Sequence, residues 1–119
     1  MIRRSHIEGF ARRVAREFHP LRIILFGSHA YGRPSDDSDA DILVVVSQPC
    51  DGARKAAQIR NRIAAGFPLD LLVRTDSEVR RRLSMGDFFI REIVEKGRVL
   101  YERHHPRMDR QGRGRLSTR

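Results

Sequence analysis

A glycine bend and three acidic side chains are the residues of this 119-residue chain best suited to chemistry. Phe26-Gly27-Ser28-His29-Ala30-Tyr31-Gly32 is followed by Asp36-Asp37-Ser38-Asp39-Ala40-Asp41 and then by the apolar run Ile42-Leu43-Val44-Val45-Val46. Successive side chains of a strand face opposite sides, so Asp39 and Asp41 share one face while Ala40 and Ile42 take the other. Two neighbouring carboxylates stay ionised cheaply only with a cation between them. A glycine turn that opens a short helix presents backbone amides to anionic oxygens. The layout suits a nucleoside triphosphate with its metal ions: Ser28 and the amides after Gly27 on the phosphates, the carboxylates on the cations.

Asp70 is the third candidate, the only carboxylate in the apolar stretch Leu69 to Val73. Burying it unpaired would be costly, so it needs a partner. If its strand pairs beside the one carrying Asp39 and Asp41, three carboxylates enclose hard cations. Magnesium ions about 3.5–4 Å apart then serve an in-line displacement at phosphorus.

Two rival readings use the same residues. Asp37, Asp39 and Asp41 match the first, third and fifth places of a calcium-binding EF-hand loop, but Ile42 stands where that loop requires glycine and Gln48 where it requires glutamate. Alternatively the acids are turn formers and strand-entry solubilisers, with Asp70 paired to an arginine. His29 reads as an exposed turn histidine.

The elements that must position these groups follow from periodicity and punctuation. Ser5-His6-Ile7-Glu8 has capping-box spacing, and Ile7, Phe10, Val14 and Phe18 recur at helical intervals up to about His19-Pro20. Leu21 to Phe26 reads as a buried strand, Ser28 to Tyr31 as the start of a short helix, and Gly32 to Ser38 as a loop before the strand Asp39 to Val46. Asp51 caps a helix expected over Ala53 to Ala65, and Leu69 to Val73 is a third strand. Thr75-Asp76-Ser77-Glu78 is a second capping box, opening a helix to about Met85. Asp87 opens another that Gly97 ends, with Phe88, Phe89, Ile90, Ile93 and Val94 expected on its core face. Val99 to Tyr101 adds an edge strand. The order predicts an α/β (α+β) domain with a short mixed sheet flanked by helices.

Length and composition set outer limits. The chain predicts one domain over residues 1 to 102 and leaves no room for a second substrate-binding domain. The formal charge of +9 is uneven, because residues 103 to 119 hold six arginines against one aspartate. That stretch reads as a basic, disordered tail, able to meet nucleic acid although a solvated tail is favoured. No apolar run approaches the ~20 residues that span a bilayer. With no signal-like N-terminus and Cys50 as the single cysteine, the expected location is the cytoplasm. Arg80, Arg81 and Arg82 splay around a helix turn and read as solvated rather than as a nucleic-acid stripe.

Gly27-Ser28, ten residues, then Asp39-Ala40-Asp41 resembles the Gly-Ser…Asp-x-Asp signature of the DNA polymerase β-like nucleotidyltransferase superfamily, in particular its minimal, MNT-type members. The resemblance covers about residues 5 to 102. It implies two magnesium ions and ATP or another nucleoside triphosphate as donor. By the same resemblance Asp39 and Asp41 are metal ligands, Asp70 is the third catalytic carboxylate, and Gly27 and Ser28 hold phosphate. Tyr31 departs from it, since such proteins often have arginine before the second glycine; Arg33 stands close by in sequence. Small members resemble the antitoxin half of a pair with a HEPN-type ribonuclease toxin, in which AMP is moved from ATP to a tyrosine hydroxyl of the toxin. The expected function is therefore magnesium-dependent transfer of AMP to a partner protein. Steric capture of the partner by a non-catalytic module, and transfer to RNA or a small molecule, are the alternatives.

Overall fold

The computed structural model describes residues 2–103, so the expected tail beyond Arg103 lies outside the described residues. Helix α1 (Arg4–Phe18) leads into β1 (Arg22–Phe26), followed by the short α2 (Ser28–Tyr31), β2 (Ala40–Val46), α3 (Gly52–Arg62), β3 (Leu69–Thr75), α4 (Asp76–Ser84), α5 (Phe88–Lys96) and β4 (Arg98–Glu102). The strands form one sheet in the order β3-β2-β1-β4. β1 runs antiparallel to both β2 and β4, and β2 is parallel to β3, so the sheet is mixed as expected.

Each face of the sheet is covered by helices. Ile23, Leu25, Ala40, Ile42, Val44, Leu71 and Val73 pack with Ile7, Phe10, Ala11 and Val14 of α1 and with Ile59 and Ile63. Ile24, Phe26, Leu43 and Val45 face the other way, onto Val79 of α4 and Ile90 and Ile93 of α5. The unbroken apolar run of β2 is the consequence, because Ile42 through Val45 are buried on alternating faces of an inner strand. Each such aliphatic side chain taken out of water contributes about 1.5–3 kcal/mol. β3 lies at the sheet edge and alternates, with Leu71, Val73 and Thr75 buried and Asp70 exposed.

Several local expectations are corrected. The first capping box does not form: α1 starts two residues earlier, with Arg3 rather than Ser5 as its N-cap, and no side chain caps it. Ile2 and Ile7 join the same core cluster from the positions of a hydrophobic staple, and that packing sets the start of the helix. α3 stops at Arg62 because Ile63 adopts an extended backbone that turns it into the core. The capping box at Thr75 and Glu78 does form, and Asp51 and Asp87 cap α3 and α5. On α5 the expected core face is only partly right. Ile90 is 2% exposed, but Phe89 is 52% and Phe88 82% exposed.

Candidate active site

Strand register brings the candidate residues to one end of the sheet. β1 ends at Phe26, whose Cα partner is Asp41 on β2, and Asp41 is in turn paired with Asp70 on β3. Partners in adjacent strands point their side chains to the same side, so Asp41 and Asp70 stand next to each other on the face that carries α4 and α5. Asp39 precedes β2 by one residue and shares the parity of Asp41. From β1 toward the edge of the sheet the order is glycine bend, Asp41, Asp70.

Two glycines make the bend possible. Gly27 has φ 73°, and a Cβ there would collide with Oδ2 of Asp41. The backbone of the turn therefore lies directly against that carboxylate, which only glycine permits. Its carbonyl accepts bonds from the amides of Ala30 and Tyr31, both at 3.0 Å, closing α2. At Gly32 a Cβ would lie 2.8 Å from Cα of Ser28, so the second glycine lets the chain fold back over the first turn. The earliest amides of a helix have no intrahelical partner and point along its axis, which suits them to anionic oxygens.

The electrostatics of the acids follow from this crowding. Partial burial first, then the charges of Asp70 and Asp39, raise the Asp41 carboxyl above the ordinary carboxylate range, and His29 opposes the rise. Among the described residues none of the three acids is ion-paired to lysine or arginine, so the arginine partner that the rival structural reading gave Asp70 is not found. Nor is Asp70 a buried charge in need of rescue. It lies at the exposed start of an edge strand, open to solvent.

The three acids do not form a closed cage: among the described residues no group of three or more His, Cys, Asp or Glu is arranged to hold a metal by itself. Magnesium commonly takes only one or two carboxylates and completes its shell with water and phosphate oxygens. An all-oxygen donor set, open on one side and abutting a glycine bend, fits such an ion.

Sequence reading missed two supports of the site. His29 is half-buried rather than an exposed turn residue, and its Nε2 lies 3.2 Å from the carbonyl oxygen of Ser38. That contact ties α2 to the end of the loop before Asp39. Phe26, directly before Gly27, meets the ring of Phe89 at 5.7 Å between centroids and 84° between planes. Neither contact has a local signature, because each joins residues that only the fold brings together.

Comparison with known proteins gives the class. The nucleotidyltransferase domain family matches residues 7–101, and the chain belongs to that family. A putative protein adenylyltransferase of Methanocaldococcus jannaschii is 31% identical over 80 residues, spanning 67% of this chain and 77% of that protein. The crystal structure of a putative nucleotidyltransferase from Sulfolobus solfataricus shares the fold, with a TM-score of 0.60 at 22% identity, over 83% of this chain and 79% of that one. Among the described residues no helix is long and apolar enough to cross a membrane.

Proposed function

We infer that this nucleotidyltransferase moves AMP from ATP to a hydroxyl of a partner protein, using magnesium ions held by Asp39, Asp41 and Asp70. One observation carries the reading of the site: Asp41 is wedged between the Gly27 backbone on one side and its register partner Asp70 on the other. Similarity to a putative protein adenylyltransferase supports the choice of AMP and of a protein acceptor.

Asp39, Asp41 and Asp70 would hold divalent cations, which would supply charge neutralisation at the triphosphate. The chain's own groups do the rest. Gly27 and Ser28 hold the phosphates beside Asp41 and keep the α-phosphorus within reach of the acceptor. Asp70, exposed at the edge of the array, accepts the proton of the incoming hydroxyl. The acceptor oxygen forms a bond to the α-phosphorus as the bond to the bridging oxygen breaks, and pyrophosphate leaves. The exposed position of Asp70 on an edge strand suits a macromolecular acceptor, which then approaches without displacing any element of this fold. By resemblance, the acceptor is a HEPN-type toxin and the protein its antitoxin.

Label transfer tests this. With magnesium and total protein of the source cell, ATP labelled at the α-phosphate should leave label covalently on protein, and ATP labelled at the γ-phosphate should not. Asp39→Ala and Asp70→Ala should each abolish the α-label while thermal unfolding stays cooperative. Transfer of γ-label, or wild-type transfer by either variant, refutes the assignment.

A further inference from the structure

A donor nucleotide has two chemically different ends. Its phosphates are met by cations and amides, but its base is flat, uncharged and apolar on both faces, and it is held best by an aromatic surface. Such a surface adjoins the phosphate end of the candidate site. Phe26 is the Cα partner of Asp41, which sets those two residues about 4.5–5.5 Å apart in an antiparallel ladder. Phe89 lies against Phe26, and half of its surface faces solvent. Phe88 and Met85, 82% and 71% exposed, precede Phe89 closely in sequence.

Core packing does not account for this exposure. Ile90 and Ile93 already serve the core side of α5. Phe89 is nevertheless fixed in orientation, since its ring is braced at 84° to that of Phe26. A braced, half-open ring is preorganised for stacking and loses little side-chain freedom on binding.

Charge decides between a base and a polyanion as the occupant. Three ion pairs lie along α5 and the turn before it: Arg82 with Asp87 at 3.0 Å, Arg91 with Glu95 at 3.5 Å, and Lys96 with Glu92 at 3.9 Å. Among the described residues, these pairs leave little net charge beside Phe88 to draw a phosphate chain, whereas an uncharged ring needs none. We propose that Phe89, flanked by Phe88, is the stacking platform for the base of the donor nucleotide. This inference rests on the nucleotide reading of the Gly27, Asp41 and Asp70 site and adds to it the subsite for the uncharged end.

Calorimetric titration of the full chain with two magnesium-loaded probes separates the two ideas. One probe is the non-hydrolysable α,β-methylene analogue of ATP; the other is inorganic tripolyphosphate, which lacks the nucleoside. Wild type should bind the nucleotide more tightly by about 5- to 100-fold, the range expected for one stacked base. Phe89→Ala should lose most of that advantage with tripolyphosphate affinity unchanged, and Phe89→Trp should restore it. Should the alanine variant fail to fold, Phe89→Leu fills the space against Phe26 without a flat ring and should show the same loss. An unchanged ratio of affinities in Phe89→Ala or Phe89→Leu overturns the inference, and if protein labelling falls in the same variant, the patch is an acceptor-docking surface instead. If wild type binds neither probe, the nucleotide reading itself fails and the platform with it.

Discussion

Asp41 is the residue under most tension. Its carboxyl is raised by burial and by Asp70 and Asp39, so ionising it costs the folded state more than the unfolded chain. The destabilisation is absent below the ordinary carboxylate range, grows as pH rises through the raised value of the folded state, and is complete above it. At neutral pH and without divalent ions, Asp41→Asn should therefore unfold at a higher temperature than wild type, and the difference should vanish at acid pH. Magnesium should raise the unfolding temperature of wild type at neutral pH but not that of Asp41→Asn; a hundredfold excess over Kd corresponds to about 2.7 kcal/mol. Gly27→Ala should be destabilised by at least ~1 kcal/mol, because the added methyl meets both a left-handed backbone and the Asp41 carboxylate. Chemical denaturation of the purified variant measures that loss. At this scale the sequence was informative about residue type and parity. Asp39, Asp41 and Gly27 lie within fifteen residues of one another, so local spacing carried the signal. The solvent environment of Asp70 was not legible, since it depends on β3 being an edge strand.

At the scale of elements, the same four-residue pattern occurs twice and folds differently. Thr75 accepts from the amide of Glu78 at 3.1 Å, and the Glu78 carboxylate accepts from the amide of Thr75 at 2.8 Å. Ser5 and Glu8 make no such pair because the helix begins before them. Thr75→Ala should cost about 1 kcal/mol, and Ser5→Ala should stay within ~0.5 kcal/mol, both read from urea midpoints. The bond to the Thr75 amide comes first among the influences that lower the Glu78 carboxyl. Its share of the cap is present above the ordinary glutamate value and lost as pH falls through the lowered one. The penalty of Glu78→Ala should accordingly shrink in acid. Strands, capped helices and the turn after Phe26 were legible because period and punctuation are local. Where the α1 and α3 boundaries moved, Ile2 and Ile63 entering the core decided the matter, and tertiary burial has no four-residue signature.

For the whole molecule, a sheet with helices on both faces supports an acidic array at one end and an apolar patch beside it, on the face of α4 and α5. The pairing of Asp41 with Asp70 follows from the parallel β2–β3 pair, a neighbourhood that the sequence left as a condition. The exposure of Phe88 was not legible, because helical periodicity at the first residues of α5 does not reveal which of three consecutive apolar side chains faces the sheet. The central claim is that Asp41 and Asp70 act as one cation site beside the glycine bend. Electron paramagnetic resonance of Mn²⁺, titrated into the full chain with the methylene analogue of ATP, tests it most directly. Wild type should bind the ion with nucleotide, and Asp41→Asn and Asp70→Asn should each weaken binding by at least about tenfold, a difference of about 1.4 kcal/mol. Mn²⁺ affinity equal to wild type in both variants would contradict the claim.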